Sequence, residues 1–173
     1  AGAKVLSQKG LSLDIMQSFP QMPEIAVFAK AVPELPIIVN HIGGVSRVGI
    51  FAGKDDEIIP VWKAGITALA ACPNVTMKLG GMGMPRFGYD WHAREVPIGS
   101  EELAEAMHPW MEHCIEQFGP DRCMFESNFP PDKVSFSYNV MYNAFKRLSK
   151  EYSASDRAAL FHDTAVRVYG IEA

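Results

Sequence analysis

The sequence predicts an α/β protein whose strands run parallel in one sheet. Short apolar segments alternate along the chain with longer segments that have helical periodicity. The segment Pro36–Asn40 is apolar without alternation, which is typical of a parallel strand covered on both faces. Asn-Gly and Asp-Gly dipeptides, which mark antiparallel hairpins, do not occur in the sequence.

The first half of the chain contains two strand-helix units. Gly10–Met16 is the first candidate strand, and Pro20–Ala31 is the first helix, with Pro23 suited to its opening turn. The second strand, Pro36–Asn40, leads through a polar segment to a helix from about Pro60 to Ala71.

A third unit follows with an unusually long connection. Val75–Leu79 is the third strand, and the loop Gly80–Gly99 is long for a compact domain, which is typical of functional or mobile loops. Ser100 is a suitable N-cap for the next helix, whose apolar residues recur with a period of 3.6 as far as Phe118.

The fourth unit completes the series. Cys123–Phe125 is a short strand, and helices are expected over Ser137–Ser149 and Ser155–Tyr169. Four consecutive βα units are typical of half a TIM barrel, and a whole barrel takes about 250 residues. We therefore expect residues 1–173 to form a single domain, a (βα)4 half-barrel, with a compact doubly wound sheet as the alternative.

Composition excludes several classes of function. The net charge is −4 and the 16 Lys and Arg residues are scattered, so the basic surface of a nucleic-acid-binding protein is missing. No segment has the roughly 20 apolar residues of a membrane helix, and we expect a cytoplasmic protein. Three cysteines lie far apart in apolar segments, which favours buried thiols over a disulfide or a metal role.

Polar side chains follow two of the predicted strands. His41 comes after the second strand, and Glu126, Asn128 and Asp132 come after the fourth. Barrel enzymes place their sites at the carboxyl ends of the strands. A neutral histidine there can bind a metal or polarise a carbonyl, although a core histidine would fit the same pattern.

The long loop after the third strand carries further candidates. Arg86, His92 and Arg94 would lie at the catalytic end, and an arginine fork pairs with carboxylates, which favours an anionic substrate. A solvated mobile loop is the alternative for these residues. Tyr89 and Trp91 could form a hydrophobic lid.

Four segments of the sequence carry a resemblance to a known family: Leu35–Gly44, Cys72–Gly81, Phe118–Lys133 and Ala159–Tyr169. In this order they resemble the C-terminal half of the amidohydrolase-2 family. That family includes sugar lactonases, 2-pyrone-4,6-dicarboxylate lactonase and some non-oxidative decarboxylases. The resemblance implies that the predicted strands are barrel strands five to eight and that His41 is a site residue.

The sequence departs from the family pattern at three points. The His-x-His pair of the family's first strand is missing, so we expect the chain to be a fragment. Asn128 stands where many relatives have a catalytic aspartate, so the base would lie elsewhere, with Glu126 and Asp132 nearby. Asp14 stands where metal-dependent relatives have a zinc-binding histidine.

The resemblance implies a hydrolase that opens a small lactone or related carbonyl compound, carboxylated or sugar-derived. A metal-dependent non-oxidative decarboxylase and a non-catalytic oligomerisation module remain as alternatives. The candidate cofactor of the complete enzyme is a divalent metal such as zinc, and the expected partners are a small-molecule substrate and either the missing half or a second copy. The candidate residues are His41 and Asn128 for catalysis, Arg86, His92, Arg94 and Glu126 for substrate, and Asp14 and His41 for metal.

Overall fold

A four-stranded parallel sheet forms the centre of the computed structural model, which describes residues 2–172. The strands lie in chain order and each pairs with the next, so the α/β prediction is confirmed. The fold matches half of a barrel, not a doubly wound sheet, in which the strand order reverses. The strands are β1 (Leu13–Ile15), β2 (Ile37–Val39), β3 (Val75–Leu79) and β4 (Cys123–Phe125).

Helices connect these strands and cover one face of the sheet. Within residues 2–172, no helix is both long enough and apolar enough to cross a membrane. A π-helical turn, Ala159–Asp163, joins α7 to α8. The helices are α1 (Gly2–Gln8), α2 (Met22–Ala31), the four-residue turn α3 (His41–Gly44), α4 (Asp55–Ala70), α5 (Ser100–Phe118), α6 (Tyr138–Leu148), α7 (Ala154–Ala158) and α8 (Thr164–Tyr169).

Two predicted helix starts were wrong. Helix α4 begins at Asp55, upstream of Pro60, because three acidic residues in its first turn favour the positive end of the helix dipole. The N-cap of α5 is Gly99, and Ser100 is the first helical residue. Helix α1 was not predicted, since it has no buried residue and therefore no clear apolar stripe.

The two faces of the sheet differ in chemistry. One face packs against the helices in an apolar core that includes Met77, Leu79 and the three free, buried cysteines. The opposite face carries Asp14, Ile38, Thr76, Lys78 and Met124, because successive side chains alternate across a strand. This face mixes polar with buried apolar side chains, and it is the one that a closed barrel would turn toward its interior.

An ion pair on this second face ties the last helix to the sheet. Lys78 Nζ lies 2.7 Å from Asp14 Oδ1, and the Tyr169 hydroxyl donates to the same oxygen at 2.7 Å. The Lys78 ammonium also lies over the Tyr169 ring, 5.3 Å from its centroid. These contacts raise the pKa of Lys78 despite its partial burial, and burial together with Asp14 raises the pKa of Tyr169 to about 12.

Candidate active site

The carboxyl ends of β2 and β4 bring His41 and Glu126 together. His41 Nδ1 lies 2.5 Å from Glu126 Oε1, and the His41 backbone N–H donates to the same oxygen at 3.0 Å. Both side chains are largely buried, with 13% and 14% of their surfaces exposed. A carboxylate on Nδ1 orients the imidazole and leaves Nε2 as the nitrogen that can exchange a proton with a ligand.

Two glycines at the end of β3 make room for this pair. A Cβ on Gly81 would lie 2.6 Å from the His41 ring, and a Cβ on Gly80 would lie 2.3 Å from Glu126 Cγ. Any side chain at either position would therefore displace one member of the pair. The glycines therefore serve close packing at the site.

The backbone around His41 is held in a left-handed conformation. His41 has φ 56° and Ile42 has φ 46°, and Asn128 on the neighbouring tip has φ 48°. Left-handed conformations cost about 1–2 kcal/mol per L-residue and collect at functional sites, where the surrounding contacts enforce them. Here the Trp62 indole N–H donates to the Ile42 carbonyl at 2.8 Å and holds the turn.

A second polar pair lies beside the first. Asn128 Nδ2 donates to Asp132 Oδ1 at 2.7 Å, and the Gly83 N–H donates to Asp132 Oδ2 at 3.1 Å. Asp132 is fully buried, which raises the pKa of its carboxyl to about 6, although these two hydrogen bonds act in the opposite direction. The charges of His41 and Glu126 also act on this pKa, so all four side chains belong to one cluster.

The three predicted loop residues take different positions. The Arg86 guanidinium donates to the Gly44 carbonyl at 3.0 Å, at the end of the turn that begins with His41, and its role in substrate binding stays a prediction. Arg94 pairs instead with Glu102 of α5 at 2.7 Å, and His92 is exposed. Substrate binding by Arg94 and His92 stays a prediction.

The two aromatic residues of the predicted lid pack against the protein, and their role as a lid stays a prediction. Trp91 is buried, with 6% of its surface exposed, and its ring stacks on Tyr89 at 4.3 Å. The Tyr89 hydroxyl accepts from the Trp110 indole N–H at 3.0 Å and donates to the Ala106 carbonyl at 3.2 Å. These rings anchor the loop to α5.

The two metal candidates lie in separate clusters. Asp14 is paired with Lys78, an ammonium that competes with a cation for the carboxylate, and His41 Nδ1 is taken by Glu126. Across residues 2–172, no three His, Cys, Asp or Glu side chains are arranged to hold a metal ion. The described residues therefore do not fit a metal by themselves, and the metal role of Asp14 and His41 stays a prediction.

Some polar residues near the site were not anticipated from the sequence. Lys78 lies within a predicted strand, and the sequence gives it no partner. Only the register of the sheet shows that it pairs with Asp14. Gln17 and Asn40 follow β1 and β2, and buried amide atoms of both lack partners within residues 2–172. Buried unpaired polar atoms are rare, so their position at the carboxyl ends of the strands again points to this edge.

Barrel enzymes have their active sites at the carboxyl ends of parallel strands. The sheet, with a histidine-carboxylate pair at that end, has the arrangement of half of such a barrel. Residues 1–171 match the family model described as amidohydrolase. The chain belongs to the amidohydrolase family, and the predicted resemblance is confirmed.

Several curated proteins are similar to the chain. It is 37% identical over 171 residues to uncharacterized protein y4mH of Sinorhizobium fredii, an alignment that covers 98% of the chain and 50% of that protein. It is 26% identical over 159 residues to an L-fucono-1,5-lactonase of Burkholderia multivorans, with 91% of the chain and 51% of the lactonase covered. The chain thus spans about half the length of these relatives.

Solved structures show the same fold at lower identity. An amidohydrolase from Burkholderia multivorans with bound zinc superposes with a TM-score of 0.83 at 24% identity, covering 99% of the chain and 56% of that protein. A putative 2-pyrone-4,6-dicarboxylic acid hydrolase from Pseudomonas putida gives a TM-score of 0.67 at 21% identity, covering 97% and 55%. Both comparisons show that the chain shares its fold with about half of each of these proteins.

Proposed function

We propose that the chain contributes strands five to eight and half of the active site to an amidohydrolase-type lactonase. The hydrogen-bonded pair of His41 and Glu126 at the carboxyl ends of β2 and β4 carries the proposal. The lactonase names of two relatives, L-fucono-1,5-lactonase and L-rhamnono-gamma-lactonase, support the reaction class. The proposed substrate is a small lactone that is carboxylated or derived from a sugar.

His41 acts as the proton carrier in this proposal. Glu126 holds Nδ1–H, so Nε2 accepts the proton of a water molecule as its oxygen attacks the lactone carbonyl. The tetrahedral intermediate then collapses, the ring C–O bond breaks, and Nε2 returns the proton to the leaving oxygen. The Glu126 carboxylate stabilises the imidazolium that exists between these two transfers.

The other site residues have supporting parts. The side-chain oxygen of Asn128 accepts a hydrogen bond from the attacking water. An amide orients the water in this way but cannot take a proton from it. Arg86 supplies a positive charge at the edge of the site, which favours a carboxylated substrate. The remaining groups that surround the carbonyl would come from a partner, either the other half of a barrel or a second copy of this chain.

The test is turnover of a lactone panel by the full protein that carries this chain. Aldonolactones and cyclic dicarboxylate lactones are followed with a pH indicator, because ring opening releases a proton. We expect His41→Gln to lower kcat on the order of 100-fold or more, whereas His108→Gln, at an exposed position of α5, should leave it unchanged.

Other outcomes would contradict the proposal. Release of CO2 with a stoichiometric bound metal would favour the decarboxylase. Turnover that survives His41→Gln would remove the histidine from the mechanism. No turnover of any lactone, together with stable self-association, would favour the oligomerisation module.

A further inference from the structure

Asn128 and Asp132 form the polar pair that lies beside His41 and Glu126. Both oxygens of the buried Asp132 carboxyl accept from N–H donors, one from Asn128 Nδ2 at 2.7 Å and the other from Gly83 at 3.1 Å. An ionised carboxylate only accepts hydrogen bonds, so the amide has to turn its NH2 group toward Asp132. The ion therefore selects one of the two orientations that the amide could adopt.

The oxygen of Asn128 consequently faces away from Asp132. Asn128 Oδ1 is not among the buried atoms that lack a partner, and its side chain makes its one hydrogen bond within residues 2–172 through Nδ2. The oxygen is thus open to solvent or to a ligand. Asn128 presents an acceptor without a negative charge.

The left-handed backbone adds to this constraint. At φ 48°, Asn128 lies in a region that few residues other than glycine and asparagine tolerate. The backbone carbonyl of Asn128 also accepts from the backbone N–H of Asp132 at 3.1 Å. The two residues are therefore linked by one side-chain and one backbone hydrogen bond. These contacts hold the pair rigidly and leave Asn128 Oδ1 without a partner within residues 2–172.

We propose that Asp132 is a positioning residue that fixes the Asn128 carboxamide with its oxygen toward the site, where it accepts a hydrogen bond from the attacking water. The identity of that water rests on the proposed function, but the orientation of the amide does not. The proposal also explains the amide at position 128, because a second carboxylate there would lie 2.7 Å from a buried anion.

The first variant is Asp132→Asn. The oxygen of the new amide can still accept from the Gly83 N–H, but its NH2 group then faces Asn128. Asn128 has to turn its own oxygen toward residue 132 and away from the site. We expect kcat to fall on the order of 100-fold with little change in KM, and the unfolding midpoint to stay the same or rise. Asp90→Asn is the matched control, since Asp90 is exposed and also left-handed, with φ 53°.

The second variant reverses the pair. Asn128→Asp alone places two carboxylates in contact, which must repel each other or share a proton, and should lower activity. Combined with Asp132→Asn, it restores one donor facing one acceptor and leaves an oxygen toward the site. We expect the double variant to be at least tenfold more active than either single variant, and failure of this rescue would overturn the proposal.

A third measurement does not depend on turnover. The side-chain NH2 signals of Asn128 in a 1H–15N spectrum should titrate with Asp132 and should shift in the Asp132→Asn protein but not in the Asp90→Asn protein. Unchanged signals would overturn the orientation even if activity fell. If the unaltered protein opened no lactone, the proposed function would fail while this spectrum still decided the role of Asp132.

Discussion

Gly81 shows how a residue without a side chain determines the geometry of the site. Its φ is 74°, and the space where a Cβ would lie is filled by the His41 ring at 2.6 Å. The ring cannot retreat easily, because the Glu126 carboxylate holds its Nδ1 at 2.5 Å. The position of His41 therefore depends on the backbone of β3 as much as on its own strand.

We expect Gly81→Ala to lower both stability and activity. The backbone strain should cost about 1 kcal/mol, and the displaced ring should add to that loss and reduce turnover. Gly53→Ala is the control, since Gly53 has a similar φ of 70° but nothing within 4 Å of its Cβ position. Urea unfolding and lactone turnover measure the difference, and equal effects of the two variants would contradict the packing role.

Asp132 should make stability depend on pH. Its pKa in the folded protein is about 6, above the ordinary value of 3.8, so the folded state binds this proton more tightly than the unfolded state. The stabilisation is fully present below about pH 4 and is lost as the pH rises through 6. The shift corresponds to about 3 kcal/mol in all, of which about 2 kcal/mol falls between pH 4.5 and 7.5.

Urea unfolding of the unaltered protein and of Asp132→Asn at these two pH values isolates that contribution. The variant should gain about 2 kcal/mol relative to the unaltered protein on going from pH 4.5 to 7.5. A constant difference would mean that Asp132 has an ordinary pKa.

The candidate residues could be found from the sequence, but their partners could not. His41 and Asn128 were predicted because each follows an apolar strand that ends in polar residues. That Glu126 binds His41, across 85 residues, depends on the spacing of three strands, which local pattern does not contain. The burial of Asp132 depends on Gly83 and is equally invisible in the sequence.

At the scale of elements, one arginine closes the ends of two helices. Arg122 Nη2 donates to the carbonyl of Ala70, the last residue of α4, at 3.0 Å, and Nη1 donates to Cys72 at 3.1 Å. Its Nε donates to the Phe118 carbonyl at the end of α5, also at 3.1 Å. Terminal carbonyls lack partners within a helix, and a cation is favoured at that end of the dipole.

Arg122→Lys should therefore destabilise the protein by about 2–4 kcal/mol, because an ammonium cannot reach the three carbonyls in the fork geometry of a guanidinium. Arg94→Lys is the control, since its exposed pair with Glu102 should change stability by less than about 1 kcal/mol. Thermal and urea unfolding measure both variants. Equal losses would mean that the three hydrogen bonds contribute little.

Element boundaries were predictable where burial set the pattern and not elsewhere. β3 and β4 agree with the predicted residues, because both are largely buried and end at glycine or polar residues. β1 is shorter than predicted, at three residues, since its pairing with β2 ends where β2 does. The π-helical turn between α7 and α8 lies inside one continuous helical pattern and has no local signal.

At the scale of the molecule, the sheet has two open edges. Within residues 2–172, β1 and β4 each pair on one side, and Tyr169 contacts Asp14 on the second face between them. Open edges offer unpaired backbone groups to another chain. The predicted half-barrel explains both edges, because a barrel closes by pairing them.

We expect the isolated chain of residues 1–173 to self-associate through this surface. Met16, 55% exposed, continues the second face beyond β1, and Met16→Lys should weaken the association by placing a charge there. Val27→Lys, at a 69% exposed position on α2, should not. Light scattering across a concentration series measures the mass, and a monomer at all concentrations would contradict the expectation.

The order of strands also has a consequence for synthesis of the protein. Since β1, β2, β3 and β4 lie side by side in the order in which they are translated, each strand can join the sheet as soon as it leaves the ribosome. No strand has to wait for a later one to be inserted between it and its neighbour. The growing chain would always expose the edge of the strand that joined last, which makes that edge a place for a chaperone to bind during synthesis.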